Sequence, residues 1–491
     1  MTTLSREALG SLPLWVARPA YDLARIATGI VHLGLGAFHR AHLAVYTDTV
    51  LKSDPRWGIC GVSLKTPRVT HALAQQDGLY TVLEKGAAGT SARVVGAVRE
   101  TRFLGAGSEG VIARFTDPAV HVVSLTVTEK GYCHDPATEQ LDDTHPEIVH
   151  DLLHRSTPVS TVGVLVAGLA ARRASESGPI SVVCCDNLPH NGRVVEAIVT
   201  AFAQARDPAI AEWFRRNVAF PSTMVDRIVP ATTDADVADV AGRLGVSDGV
   251  PVVFEPFRQW VIEDRFAAPR PAWEDDGAEL VADVAPFETM KLRLLNGSHS
   301  TLAYLGFLAG HATIWQASSD PDLAALAERQ MKEEIVPTLA APPGTDLLAY
   351  CAKLMTRFRN PALPHRTQQI AMDGSQKLPQ RLLGTIRDRI AAGASFRHLA
   401  LAVAGWIRYG SGTDERGRTI AVSDPMAMTF TRIVAGAGND PARIAAGFLD
   451  LAPVFGADLG AHPAFRDTVT RNVVALFKDG VRATLARHLT R

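Results

Sequence analysis

Four short runs rich in β-branched residues, each followed by a stretch with helical spacing, restrict the fold of this chain more than any other feature. They are "IVHL" from Ile30 to Leu33, "WGICGVSL", "VHVVSLTVT" and "ISVVCCDN". The segments "TVGVLVAGLAARRASES" and "GRVVEAIVTAFAQAR" carry apolar residues at helical intervals. Strand and helix in alternation close most simply as an α/β unit, a mainly parallel sheet with helices on both faces. Such sheets take ligands at the carboxyl ends of their strands. Thr128, Glu129 and Lys130 stand at one such end and Asn187 at another.

The first strand runs into Gly34 and Gly36 and then into a helix-like segment, the order of a strand, a phosphate turn and a helix. Gly36 would let backbone N–H groups approach a pyrophosphate. Position 39, where a third glycine would complete the pattern, is His39. A bare pair of glycines also fits a plain tight turn. The second strand ends at Lys65 and Thr66, with no acid to grip an adenosine ribose, so these residues leave NAD and NADP open.

After "DRFAAPRPAWEDDGAEL" the spacing turns helical and largely stays so, which predicts a second, mostly α-helical domain. The expected division is 1–284 and 285–491. With 50 Lys and Arg against 51 Asp and Glu, no cationic excess is available for nucleic acid or an anionic membrane, and a small molecule is the expected partner. Five scattered cysteines without zinc spacing read as reduced thiols. The chain shows no leader pattern at its start and no run of ~20 apolar residues, so a cytoplasmic location is expected.

The segment "ETMKLRLLNGSHS", residues 288 to 300, threads polar groups through an apolar helix. At about 100° per residue from Lys291, Glu288 lies at about 60°, His299 at about 80° and Asn296 at about 140°. All four share one arc, so they can face a common cleft, although a helix carrying incidental polar residues would look alike. Hydride transfer to a sugar carbon needs a proton partner and donors for the oxygen that gains charge. The chain has neither a regular metal-ligand set nor Tyr-x-x-x-Lys. Lys291 could serve if burial and its neighbours lower its pKa from ~10.4 towards ~7 to 8.

"KLRLLNGSHSTLAYLGFLAG", with "GLGAFHRAH", "SLTVTEKGY", "CDNLPHNG", "MVDRIVP", "EPFRQWVIED" and "DGSQKLPQR", resembles the polyol-specific long-chain, or mannitol, dehydrogenase family over nearly the whole chain. The resemblance is strongest to the branch that interconverts D-fructuronate and D-mannonate. It implies an N-terminal Rossmann-type domain, a helical C-terminal domain, a cleft between them, and metal-free chemistry with NAD in a chain that is monomeric or weakly oligomeric. On that pattern Lys291 is the general acid/base, Asn187 and Asn296 donate to the reacting oxygen, His299 orients the substrate and Glu288 controls proton passage. The cofactor side falls to Gly34, Gly36, Phe38, His39, Thr128 and Asp226. The family also includes enzymes of D-fructose and D-mannitol, and a silent sugar-binding protein on the same scaffold is the alternative of another class.

Fructuronate carries a carboxylate that fructose lacks, so its site should offer an extra cation. Lys130, in "TEKGY", and Arg258, in "EPFRQWVIED", are candidates, each with the alternative of a surface charge or an ion pair. The cluster "PHRTQQIAMDGSQKLPQR" adds His365, Arg366, Lys377 and Arg381, of which the family pattern favours Lys377.

Overall fold

A computed structural model describes residues 1–135, 138, 140–438 and 440–490, without the side chain of Glu129, and divides into two compact units, Met1–Ala285 and Pro286–Arg491. In the first unit β1 (Thr28–Leu33), β2 (Gly58–Ser63), β3 (Val98–Phe103), β4 (Val122–Leu125), β5 (Ile180–Cys184) and β6 (Val218–Ala219) form one sheet. Their order is β3-β2-β1-β4-β5-β6, and every pairing is parallel. The order reverses between β1 and β4, which opens a crevice outside their carboxyl ends.

Every residue of β1, β2, β4 and β5 is buried, as a parallel sheet covered on both faces requires. Alternation then divides the side chains: Val31, Leu33, Val123 and Leu125 enter one core, Ile30, Ile59, Val122 and Val183 the other. Helix α1 (Ala37–Ala41) follows β1, while α2 (Thr161–Ala174) and α3 (Asn191–Arg206) flank β5 in sequence. Ser160 starts α2 by accepting the Gly163 N–H at 2.9 Å.

Two three-stranded sheets, each containing an antiparallel pair, supplement this frame and were not anticipated from the strand–helix alternation. One joins Tyr80–Gly86, Gly89–Val95 and Val252–Phe254. The other pairs β7 (Thr223–Asp226) antiparallel with β8 (Gln259–Glu263), with Glu279–Val281 alongside. Asp226 closes β7.

The second unit is helical around a single apolar core. Helix α4 (Ala285–Met290) continues through a π-helical turn, Lys291–Asn296, into α5 (Gly297–Leu308). Helix α6 (Arg397–Gly410), buried from His398 onward, packs against α5 and against α7 (Pro463–Leu489), which bends at Gly480 with φ 76°. Trp406 anchors the core, its ring edge-on to Phe430, Phe448 and Phe455. Two more π turns occur, Gln330–Ile335 and Pro379–Leu383. Among the described residues no single helix is long and apolar enough to cross a membrane.

Candidate functional site

In the first unit the expected residues other than Asp226 and Arg258 follow the carboxyl ends of β1, β4 and β5. Gly34 has φ +99°, and a Cβ there would lie 2.1 Å from the Thr126 carbonyl oxygen, so the turn admits only glycine. Gly36 is exposed, and a Cβ on it would meet nothing nearer than the Gly34 carbonyl oxygen at 3.8 Å. Open space therefore lies beside its Cα, as the close approach of a dinucleotide pyrophosphate would need. Phe38 is half-buried with its ring stacked on His42, 5.0 Å between centroids. The side chain of His39 is wholly buried against His32, so any contact it makes with a ligand must come from its backbone.

Thr128 and Asn187 are both exposed at their strand ends. Thr128 has φ 67° and ψ 162°, a region nearly reserved for glycine. Asp186 holds it there: one carboxylate oxygen accepts the Thr128 N–H at 3.0 Å, the other the Val127 N–H at 2.9 Å and the Tyr132 hydroxyl at 2.6 Å. Sequence reasoning singled out Asn187 and passed over Asp186. Asp226 is buried. Lys130 is exposed. The Arg258 guanidinium is bonded to the Asp276 carboxylate at 2.6 Å and carbonyl at 3.0 Å and lies over the Tyr46 ring, so the structure gives it an ion pair.

In the second unit Glu288, Lys291, Asn296 and His299 are all buried, none more than 8 % exposed. The α-helical wheel misplaces them relative to one another, because a π turn takes up one extra residue and removes about 100° of rotation between Lys291 and the residues after it. With that correction Asn296 lies about 40° from Lys291 and His299 about 20° on the other side, so the four share a narrower arc of about 80°. Gly297, next in the chain, lets the backbone of another π turn approach: a Cβ there would lie 2.8 Å from the Arg381 carbonyl oxygen.

His299 stacks on Phe358 and meets His365 edge-on, each at 5.1 Å. Its Nε2 has no hydrogen-bond partner among the described residues. Burial above all, then His365, Arg381, Arg357 and Lys377, hold the imidazole well below its usual pKa and therefore neutral. Of the polar cluster read from the sequence, His365, Lys377 and Arg381 act on His299, whereas Arg366 is exposed outside that set. Arg357 joins them unannounced, since it lies on a different helix, Leu347–Phe358, and nothing in its local sequence marks it. Lys377 donates to the Met372 carbonyl at 2.6 Å, and Arg381 to the Ser300 hydroxyl at 3.1 Å.

A parallel sheet in the order 3-2-1-4-5-6 with an open glycine turn after its first strand defines a Rossmann-type oxidoreductase scaffold. Residues 28–275 match the mannitol dehydrogenase Rossmann domain and 283–477 the mannitol dehydrogenase C-terminal domain, and the chain belongs to the mannitol dehydrogenase family. It is 49% identical to D-mannonate oxidoreductase of Escherichia coli (strain K12), over 96% of this chain and 98% of that one. Mannitol 2-dehydrogenase of Pyricularia oryzae is 39% identical over 96% and 94% of the two chains. The solved structure of Pseudomonas fluorescens mannitol 2-dehydrogenase, a ternary complex with NAD and D-mannitol, superposes with a TM-score of 0.93 at 38% identity, covering 100% of both chains.

Proposed function

We propose that this chain is an NAD-dependent oxidoreductase that reduces the C2 ketone of D-fructuronate to D-mannonate, reversibly. Residues 1–284 act as the dinucleotide-binding domain and 285–491 as the substrate domain. The observation that carries the reading is the buried set Glu288, Lys291, Asn296 and His299 in and beside one π turn, with Arg381, Arg357 and Lys377, all cations, acting on His299. Cations near a candidate substrate group suit a sugar acid, whose carboxylate they would attract. The identity to D-mannonate oxidoreductase supports the same substrate.

The open turn at Gly34 and Gly36 fits a dinucleotide pyrophosphate, and the related ternary complex with NAD supports that cofactor. When bound, NADH supplies the hydride. Lys291 gives a proton to the C2 oxygen, and takes it back in the reverse direction. Asn187 and Asn296 donate hydrogen bonds to that oxygen as it gains charge. His299, neutral and with Nε2 unbonded among the described residues, orients a substrate hydroxyl. Glu288 passes the proton towards solvent. Lys130 receives the carboxylate and Lys377 contributes to substrate binding, Arg258 being paired with Asp276.

The second reading is mannitol 2-dehydrogenase, favoured by the ternary complex with D-mannitol. The test is a panel of D-fructuronate and D-fructose with NADH and with NADPH, followed by loss of reduced-cofactor absorbance. Turnover of fructuronate well above fructose supports the first reading. The reverse ranking supports the second, and no turnover with either removes both.

A further inference from the structure

The third glycine of a dinucleotide turn ordinarily allows the helix after the turn to pack closely on the first strand. Here that position is His39, and β1 carries His32, a polar residue in a strand with no exposed face. The two imidazoles lie nearly flat on each other, centroids 3.4 Å apart and planes at 16°, and both are 0% exposed. Two stacked rings thus occupy the contact between α1 and β1 that a third glycine would leave to backbone.

The hydrogen bonds of His32 specify its tautomer. A carbonyl can only accept, so the Nε2 atom 3.0 Å from the Gly34 oxygen carries the hydrogen. Nδ1 then accepts from the Ser124 hydroxyl at 2.8 Å. Thr126 Oγ1 donates to the same Gly34 oxygen at 2.8 Å and stands 3.0 Å from His32 Nε2. The Gly36 N–H donates to that oxygen as well, at 2.6 Å, while the N–H groups of Gly34 and Leu35 both go to the Val62 carbonyl. Every N–H from Gly34 to Gly36 and the Gly34 carbonyl are therefore fixed by hydrogen bonds within the protein. Neither ring nitrogen of His39 has a hydrogen-bond partner among the described residues. What His39 contributes is a flat, neutral surface against His32.

We propose that His32, Thr126 and His39 act together as positioning residues that set the Gly34–Gly36 turn for a dinucleotide pyrophosphate, the histidine stack standing in for the missing third glycine. The inference rests on the reading that the chain binds NAD. Its test is the dissociation constant of NADH, measured by cofactor fluorescence on the full chain. Thr126→Val removes both hydroxyl contacts at nearly constant volume. It is expected to weaken NADH about tenfold, the effect of one or two hydrogen bonds, and Thr126→Ser to recover most of that loss. The Michaelis constant for NADH rises with it, and that for the sugar stays within about twofold, a split that general loosening of the fold would not produce. His39→Gly, which restores the glycine pattern, also weakens binding. Unchanged affinity in Thr126→Val, equal weakness in Thr126→Ser, or tighter binding in His39→Gly overturns the inference. If the unaltered chain does not bind NADH, the functional reading itself has failed, and the inference falls with it.

Discussion

At the scale of single residues, the site was legible where polar groups interrupt apolar segments. Lys291, Asn296 and His299 stand out because a buried helix has no reason to carry them unless they are used. His32 carried the same signal in an apolar strand, and its partner Ser124 lies directly across from it on β4. Asp186 was hidden because an acid at a strand end looks like any loop residue until its acceptors are seen to bind Val127 and Thr128. Two predictions belong here. Lys291→Met should lower kcat by about 10² to 10⁴, the usual worth of a general acid/base, with the NADH dissociation constant unchanged; retained kcat across pH would remove Lys291 from the chemistry. Asp186→Asn replaces one acceptor by a donor that opposes an N–H. It should speed amide hydrogen exchange of the peptide around 126–133 at least about tenfold, as expected for a lost charge-assisted bond at a strained residue. Exchange at the original rate would show that Thr128 keeps its conformation without the carboxylate.

At the scale of elements, helical periodicity placed the helices of the second unit but could not show the three π turns. Apolar spacing reports which face is buried and is nearly blind to one extra residue in a turn. The consequence is local, because the turn at Lys291–Asn296 changes which residues share a row while leaving the segment helical. The π turn at Gln330–Ile335 serves a neighbouring helix. Helix α6 begins at Phe396 with no side-chain cap of its own, and Glu334 supplies one from that turn, accepting the His398 N–H at 2.9 Å and the Leu399 N–H at 2.8 Å. Burial raises the Glu334 pKa to about 7 in spite of these two donors. Glu334→Ala would leave two buried N–H groups unpaired, and about 1 to 3 kcal/mol of stability should be lost, read as a lower urea midpoint. An unchanged midpoint would mean that water or a shifted helix end replaces the carboxylate.

At the scale of the whole molecule, the change from strand–helix alternation to helical spacing was visible because the two kinds of core demand different periods, and four of the six parallel strands, β1, β2, β4 and β5, were read with it; β3 and the two-residue β6 were not. The two supplementary sheets escaped notice since each contains a pairing of segments well apart in sequence, Tyr80–Gly86 parallel with Val252–Phe254 and β7 antiparallel with β8, which has no local signature; only the hairpin of Tyr80–Gly86 and Gly89–Val95 is local. A property of both units follows from burial. His32 and His42 are lowered by desolvation to about 3 and His365 to about 4, while His39 and His299 fall well below the ordinary value. Each is neutral when folded and has an unfolded pKa near ~6.5. The unfolded chain therefore binds more protons below that pH, so their contribution is full above ~6.5 and is lost progressively as pH falls towards the folded values. Glu334 acts in the opposite sense: its folded pKa is raised, so its contribution is present below ~4.3 and lost as pH rises through about 7. One such carboxyl cannot offset several imidazoles at about 1.4 kcal/mol per pH unit each, and two pH units across them rivals a typical total stability of roughly 5 to 15 kcal/mol. Both units carry such histidines, so both should begin to unfold cooperatively near about pH 6, above the ~3.9 to 4.3 at which ordinary carboxylates titrate, and be unfolded by about pH 4. Circular dichroism against pH measures this directly. A chain that keeps its helical signal and tryptophan fluorescence at about pH 3.5 would show that these imidazoles accept protons without leaving their buried positions.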